Sequence, residues 1–245
     1  MTPYNQPELI EWLLSEAGPI IRCRLVSDFG VRRSESEAVG LRAAVLRTRE
    51  VGRWLANLGG CTVHGSKDSD AENAMAKLVE YGLRAGIPAL DEKMLGYADW
   101  IESDAQGINR RSFVGLVAGP YLIAAGYAAH PAVHAYFVRR LEVLHETAMR
   151  RNYDLYVSEN DMAGVPSRWR NKRVYKPEYY SDYVVRVPMC YDLYALAHWP
   201  ATSGSTNDRR RIADIVAFIG DPRFQDTPGG YLWDVDRRTC YAAGR

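Results

Sequence analysis

A single charged side chain, Asp192, stands in the apolar run Val187-Pro188-Met189-Cys190-Tyr191-Asp192-Leu193-Tyr194-Ala195-Leu196-Ala197-His198. The run reads as a helix with Asp192 at the end of its first turn. Proline suits a first helical turn, where its missing N–H would have no partner, and an aspartate there complements the partial positive charge of the helix terminus. A segment apolar all round expects burial all round. Inside an apolar cavity the ionised form of a carboxyl is disfavoured, so its pKa rises and it keeps a proton to donate near neutral pH. Asp192 is on that ground the candidate acid of a proton-transfer reaction; one arginine beside it would make it a structural ion pair instead.

A second concentration of polar chemistry is His64-Gly65-Ser66-Lys67-Asp68-Ser69-Asp70-Ala71-Glu72-Asn73. Ser69 followed three residues on by Glu72 matches a capping box, with Asp70 favoured by the helix dipole. At the rim of a cavity the same residues have a functional reading, because a helix N-terminus binds anionic groups and a histidine moves protons near neutral pH. His64 and Asp70 are the candidate partners of Asp192 in proton movement, and Lys67 and Asp68 the candidate substrate contacts. In Asn109-Arg110-Arg111-Ser112, Arg111 precedes the most apolar helix and is the candidate anchor for a polar substrate end, although solvated or ion-paired arginines are commoner. Tyr121, Tyr191, Trp199 and Tyr241 are the candidate pocket aromatics, whose faces would stabilise developing positive charge. Arg22 and Arg24, two apart on an otherwise apolar helix, cannot both share its buried face. Asp234-Val235-Asp236-Arg237-Arg238-Thr239-Cys240-Tyr241 resembles a further inner-helix entry, cut short where the sequence stops at Arg245.

Other chemistries find no footing. Ser158-Glu159-Asn160-Asp161-Met162-Ala163-Gly164 lacks the ligand spacing and terminal glutamate of a calcium loop. His130 and His134 lie four apart on one helical face, without the glutamate of a His-Glu-x-x-His zinc site and without a third ligand. There is no Gly-x-Ser-x-Gly elbow, Walker loop or Gly-x-Gly-x-x-Gly fingerprint. The expected site uses neither metal nor cofactor. With 31 basic and 30 acidic residues, a net charge of +1 creates no global field to recruit nucleic acid or an anionic membrane. Cys23, Cys61, Cys190 and Cys240 are widely spaced, without a Cys-x-x-Cys pair or secretory leader, and read as reduced thiols of a cytoplasmic protein. The apolar stretch 113–129 approaches the roughly 18 residues of a membrane span, but it contains Pro120 and three glycines and reads as a buried helix.

These side chains need elements to hold them, and apolar spacing indicates helices nearly throughout. Ile10, Leu13, Leu14 and Ala17 line one face of a helix starting around Pro7, and a second helix runs over 19–29 beyond the Gly18-Pro19 break. Further stripes pass through Met75, Leu78, Val79, Gly82 and Leu83, through Leu90, Met94, Tyr97, Ala98 and Ile101, and through Val133, Phe137, Leu141, Leu144 and Ala148. Helices over 111–128 and 188–198 are apolar nearly all round. One-faced helices alternating with these imply two layers, apolar inside and striped outside, in a single domain of 245 residues. Gly86-Ile87-Pro88 and Ala129-His130-Pro131 read as hairpin connectors. Only 154–158 and 183–187 alternate as strands do. Both lie in the irregular segment 153–187, where Tyr153, Tyr156, Tyr175, Tyr179, Tyr180 and Tyr183 argue against disorder and for a functional flap.

Leu9-Ile10-Glu11-Trp12-Leu13-Leu14, Gly18-Pro19-Ile20-Ile21-Arg22-Cys23-Arg24, Trp54-Leu55 and Val187-Pro188-Met189-Cys190-Tyr191-Asp192-Leu193 resemble bacterial proteins of the squalene-cyclase and prenyltransferase-repeat superfamily. The resemblance covers most of the chain. It implies an all-α fold, an α/α-toroid-like, partly open barrel of helical hairpins around a cavity, with 153–187 as a flap across one end. The chain departs from the superfamily's reaction motifs. Of the Asp-x-Asp-Asp of class II cyclases it offers only Asp68-Ser69-Asp70 and Asp234-Val235-Asp236, and it has neither the Asp-x-Cys pair of zinc prenyltransferases nor an Asp-Asp-x-x-Asp diphosphate site. The implied function is a cofactor-independent cyclase or isomerase acting by proton transfer on a hydrophobic, terpenoid- or polyketide-like small molecule. The alternative is a non-catalytic helical scaffold that binds a lipid, peptide or protein partner, its acids serving as caps.

Overall fold

The computed structural model describes residues 6–59, 62–65, 67–105, 112–181, 184–200, 202, 204–227, 229–236 and 238–242; of 6, 103–105, 112, 113, 241 and 242 only the backbone is described. Among these residues the fold is mostly helical, with eleven α-helices and two small antiparallel sheets of two strands each. The chain divides into two compact units, Met1–Tyr97 and Ala98–Arg245. None of the described helices is long and apolar enough to cross a membrane.

The first unit holds α1 (Gln6–Glu16), α2 (Pro19–Asp28), α3 (Glu35–Leu46), α4 (Arg49–Asn57), α5 (Ala71–Glu80) and the start of α6 (Pro88–Ala105). From α1 to α5 each helix packs on the next. Local signals set the boundaries. Ser34 begins α3 with a reciprocal cap, its Oγ accepting the Glu37 N–H while the Glu37 carboxylate accepts the Ser34 N–H at 2.9 Å. Thr48 caps α4 one way, its hydroxyl accepting the Val51 N–H at 3.3 Å. After α5, Gly82 takes a φ of 83°, which returns the Leu83 N–H to the Leu78 carbonyl at 3.0 Å. Met75, Leu78, Leu83, Leu90 and Met94 are all buried, as their spacing predicts.

The second unit contains α7 (Ser112–Leu122), continued by a π-helical turn over Ile123–Tyr127, then α8 (Pro131–Arg150), α9 (Cys190–His198), α10 (Thr206–Ile219) and α11 (Pro222–Gln225). α7 packs against α9 and α8, and α8 against α10. Val133, Phe137, Leu141, Leu144 and Ala148 of α8 are buried together, and α7 is buried almost all round through Leu116, Val117, Ala118 and Leu122. Gly115 and Gly119 allow the Tyr136 ring of α8 to lie directly on α7: a Cβ on Gly119 would meet Tyr136 Cε1 at 2.5 Å.

Three expectations need correcting. α9 begins at Cys190, with Met189 as its N-cap, so Pro188 precedes the helix; and it is not buried all round, since Leu193 is 44% exposed. The described residues of segment 153–187, expected to be irregular, form a packed piece of structure. Its backbone is tied by Val157 N–H to the Val174 carbonyl at 2.9 Å and by Tyr175 N–H to the Tyr231 carbonyl at 2.8 Å. Val157, Val165, Val174 and Cys240 form a small core against Met162, Trp169, Tyr231 and Trp233. At one end of the segment the Tyr153 hydroxyl donates to Asp221 at 3.1 Å, with the Arg223 guanidinium 4.2 Å from its ring centre; at the other, β1 (Tyr180–Ser181) pairs with β2 (Val184–Val185). The expected inner-helix entry at 234–241 is a hairpin of β3 (Tyr231–Asp234) and β4 (Thr239–Ala242). Burial alternates along Tyr-Leu-Trp-Asp of β3, and its aromatics and β4's threonine suit a pleated surface.

Candidate functional site

Arg140 and Asp192 form the most enclosed polar cluster among the described residues of the second unit, 9% and 3% exposed. Arg140 sits on the buried stripe of α8, at the position between Phe137 and Leu144 where spacing calls for an apolar side chain. Its Nε and one terminal nitrogen donate to the two Asp192 oxygens at 2.7 Å each, a bidentate fork. The other terminal nitrogen donates to the Val185 carbonyl, and the Val187 carbonyl lies 3.5 Å from the forked one. Asp192 Oδ2 also accepts the Met189 N–H at 2.8 Å, at the start of α9. Burial works against charge on Arg140, and the Asp192 carboxylate outweighs it, holding the guanidinium above its ordinary range. Both carboxylate oxygens therefore act as acceptors in a structural ion pair that ties α8, α9 and the β2 exit together. The candidate acid is not a carboxyl left alone among apolar side chains.

In the first unit Thr62 and Val63 fold back over the start of α5. The Ala71 and Glu72 N–H groups, which would greet an anion at a bare helix N-terminus, donate instead to the Thr62 and Val63 carbonyls at 3.0 and 2.9 Å. Asp70 is the N-cap in place of Ser69, and its buried carboxylate closes the turn by accepting the Lys67 N–H at 2.8 Å. Glu72 is not the second half of a capping box with Ser69; it pairs with His64 Nδ1. Asn73 fastens the same turn through the Gly65 and Lys67 carbonyls. The Lys67 and Asp68 side chains are exposed, with Arg53 3.9 Å from Asp68. His64, Lys67, Asp68 and Asp70 thus come together as one fastened turn of the first unit, while Asp192 belongs to the second.

Two aromatic candidates of the second unit, Trp199 and Tyr121, lie against other rings. Trp199 stacks on Phe137 with centroids 3.9 Å apart and lies 5.5 Å from the His134 ring. Tyr121 lies 5.3 Å from Tyr194, and Tyr191 is half-buried on α9. Arg111 lies outside the described residues, and Tyr241 is described only as backbone in β4. Cys23, Cys190 and Cys240 are free thiols, and among the described residues no group of three His, Cys, Asp or Glu side chains is placed to hold a metal ion.

Sequence reasoning missed a cleft of about 520 Å³ in the first unit, lined by Leu14 of α1, Arg22 of α2, Arg33, and Glu37, Gly40, Leu41 and Ala44 of α3. The α3 residues recur at i, i+3, i+4 and i+7, so one helical face makes a wall. Of the two arginines spaced two apart on α2, Arg24 turns outward to Asp28 at 2.7 Å. Arg22 turns to the cleft, and its buried Nε has no hydrogen-bond partner among the described residues. A cation on an otherwise apolar helix was the available signal for it.

Comparison of the chain with models of protein families, with curated proteins and with solved structures finds no match to any of them.

Proposed function

We propose that this chain is a non-catalytic helical binding protein, and that the cleft between α1, α2 and α3 holds a small hydrophobic or amphipathic ligand. The observation that carries the reading is the cleft itself: about 520 Å³, walled by Leu14, Leu41 and Ala44, within the size range of small-molecule sites. Its surroundings are greasy for a solvent-facing region. Of eleven large apolar side chains exposed among the described residues, Leu9, Trp12, Ile21, Phe29 and Val39 all fall on or beside these three helices, a concentration that marks binding surfaces more than isolated exposed residues do.

Proton-driven cyclisation of such a ligand would need a free acid, and Asp192 has both oxygens engaged by Arg140. A layered, toroid-like arrangement of helices stays part of the proposal, supported within the second unit by the pairing of apolar α7 with α9 and of striped α8 with α10. Mass spectrometry of the organic extract of purified full-length protein tests the reading. A small hydrophobic molecule near one per chain, unchanged on prolonged incubation and lost in Gly40→Leu, is the expected result; a ligand converted to product, or none retained or regained from a lipid extract, overturns it.

A further inference from the structure

We infer that the ligand of the α1–α3 cleft is a single-chain amphiphile with a carboxylate head, a free fatty acid in chemical class, and that Arg22 grips the head; this rests on the binding reading above. Arg22 Nε is shielded from solvent and unanswered by any described acceptor; the indole N–H groups of Trp54, Trp169, Trp199 and Trp233 share that condition, but Arg22 lines the cleft, where an acceptor from outside the fold can reach it. A guanidinium presents parallel N–H groups that match the two oxygens of a carboxylate.

Charge complementarity selects the head. Arg33, on the same cleft, lies 3.9 Å from the well-exposed Glu11 and also acts electrostatically on Glu37, solvent-screened contacts weak enough for it to turn toward an anion. Glu37 contributes the opposing charge, but its Oε2 already accepts the Ser34 N–H and hydroxyl at 2.9 and 2.7 Å. The lining carries two arginines and one glutamate, with Glu11 beside Arg33 at its edge, so the cation open to a head group is Arg22, and one carboxylate matches it. The tail then lies along Leu14, Leu41 and Ala44, over Gly40, where an added Cβ would meet nothing within 4 Å.

Gly40 supplies the variant that blocks the cleft without threatening the fold, because leucine favours a helix interior over glycine. Isothermal titration of the full chain with decanoate and with decan-1-ol, for wild type, Arg22→Gln and Gly40→Leu, is the test, with circular dichroism to confirm that each variant is helical. The wild type should bind decanoate more tightly than the alcohol. Arg22→Gln should weaken decanoate at least tenfold and leave the alcohol unchanged, and Gly40→Leu should weaken both. Equal affinity for acid and alcohol, both lost in Gly40→Leu, would overturn the carboxylate assignment and leave the binding reading standing. Failure of the wild type to bind either probe, or binding undiminished in Gly40→Leu, would overturn both.

Discussion

Arg140 and Arg22 are both cations on otherwise apolar helical faces, yet their surroundings are opposite. Arg140 meets two carboxylate oxygens of Asp192 and two backbone carbonyls; Arg22 buries a donor that meets no described acceptor. The glycines near them differ in the same sense. Gly119 of α7 has the Tyr136 ring against it, while Gly40 of α3 borders open space. The second unit has used its buried charge and its helix contacts to fix α8 against α9 and α7. The first has left the Arg22 Nε without an acceptor among the described residues, beside an open helical face at Gly40. A buried charge that is matched holds a fold together; a half-buried one with a shielded, unanswered N–H is the place where the proposed ligand would bind.

That contrast is broken most easily at Asp192. Asp192→Ala leaves the Arg140 guanidinium buried without its counter-ion and removes an acceptor from the start of α9, so a loss of about 3–5 kcal/mol is expected in urea unfolding. A loss under about 1 kcal/mol would mean that the pair is not what holds this region. Next in size are the glycines, where the same substitution should act with opposite sign. Gly119→Ala sets a methyl group into the Tyr136 ring and should lower stability by about 1–3 kcal/mol, whereas Gly40→Ala should raise it by about 0.5–1 kcal/mol by favouring the helix. Thermal melts of the two variants check the signs, and a gain at both positions would erase the difference in packing.

The smallest effect falls on both regions alike. Asp208 and Asp28 are partly buried, which raises a carboxyl's pKa, but bonds from Ser205 to the first and from Arg24 and Ser27 to the second outweigh this and hold both below the ordinary 3.8. A depressed folded-state pKa gives stability that is complete above 3.8 and lost as pH falls from there through the folded value. Melting temperature should therefore be flat on the neutral side and drop below about pH 4, and Ser205→Ala should make that drop shallower.

Spacing alone locates α1, α5, α6 and α8, because a one-sided apolar stripe with the helical period suits a half-buried helix and little else; α2 is marked by the Gly18-Pro19 break before it. It is a poorer guide to capping. Ser69 and Glu72 carry the same pattern as Ser34 and Glu37, but only the second pair forms a box; Asp70 displaces Ser69, and His64, eight residues from Glu72, draws it away. At 231–242 the aspartates suggest a helix entry, and the alternating aromatics, which belong to a hairpin, are the truer signal. Asp192 is legible as unusual, but its role is fixed by a partner 52 residues away. Arg22 is legible as a charge on α2, whereas sequence reasoning misses Arg140, one residue before Leu141 on the stripe of α8; what spacing does not reveal is which of them finds a counter-ion, since that depends on tertiary contacts.

Hydrogen exchange read by mass spectrometry, comparing Arg140→Met and Arg22→Met with the parent protein, tests the contrast most directly. Amides of α8 and α9 in Arg140→Met should lose about 3–5 kcal/mol of protection, while those of α2 and α3 in Arg22→Met should stay within about 0.5 kcal/mol of the parent. Equal losses at the two sites, or full protection in Arg140→Met, would contradict the division between a matched charge that builds the fold and an unmatched one that awaits a ligand.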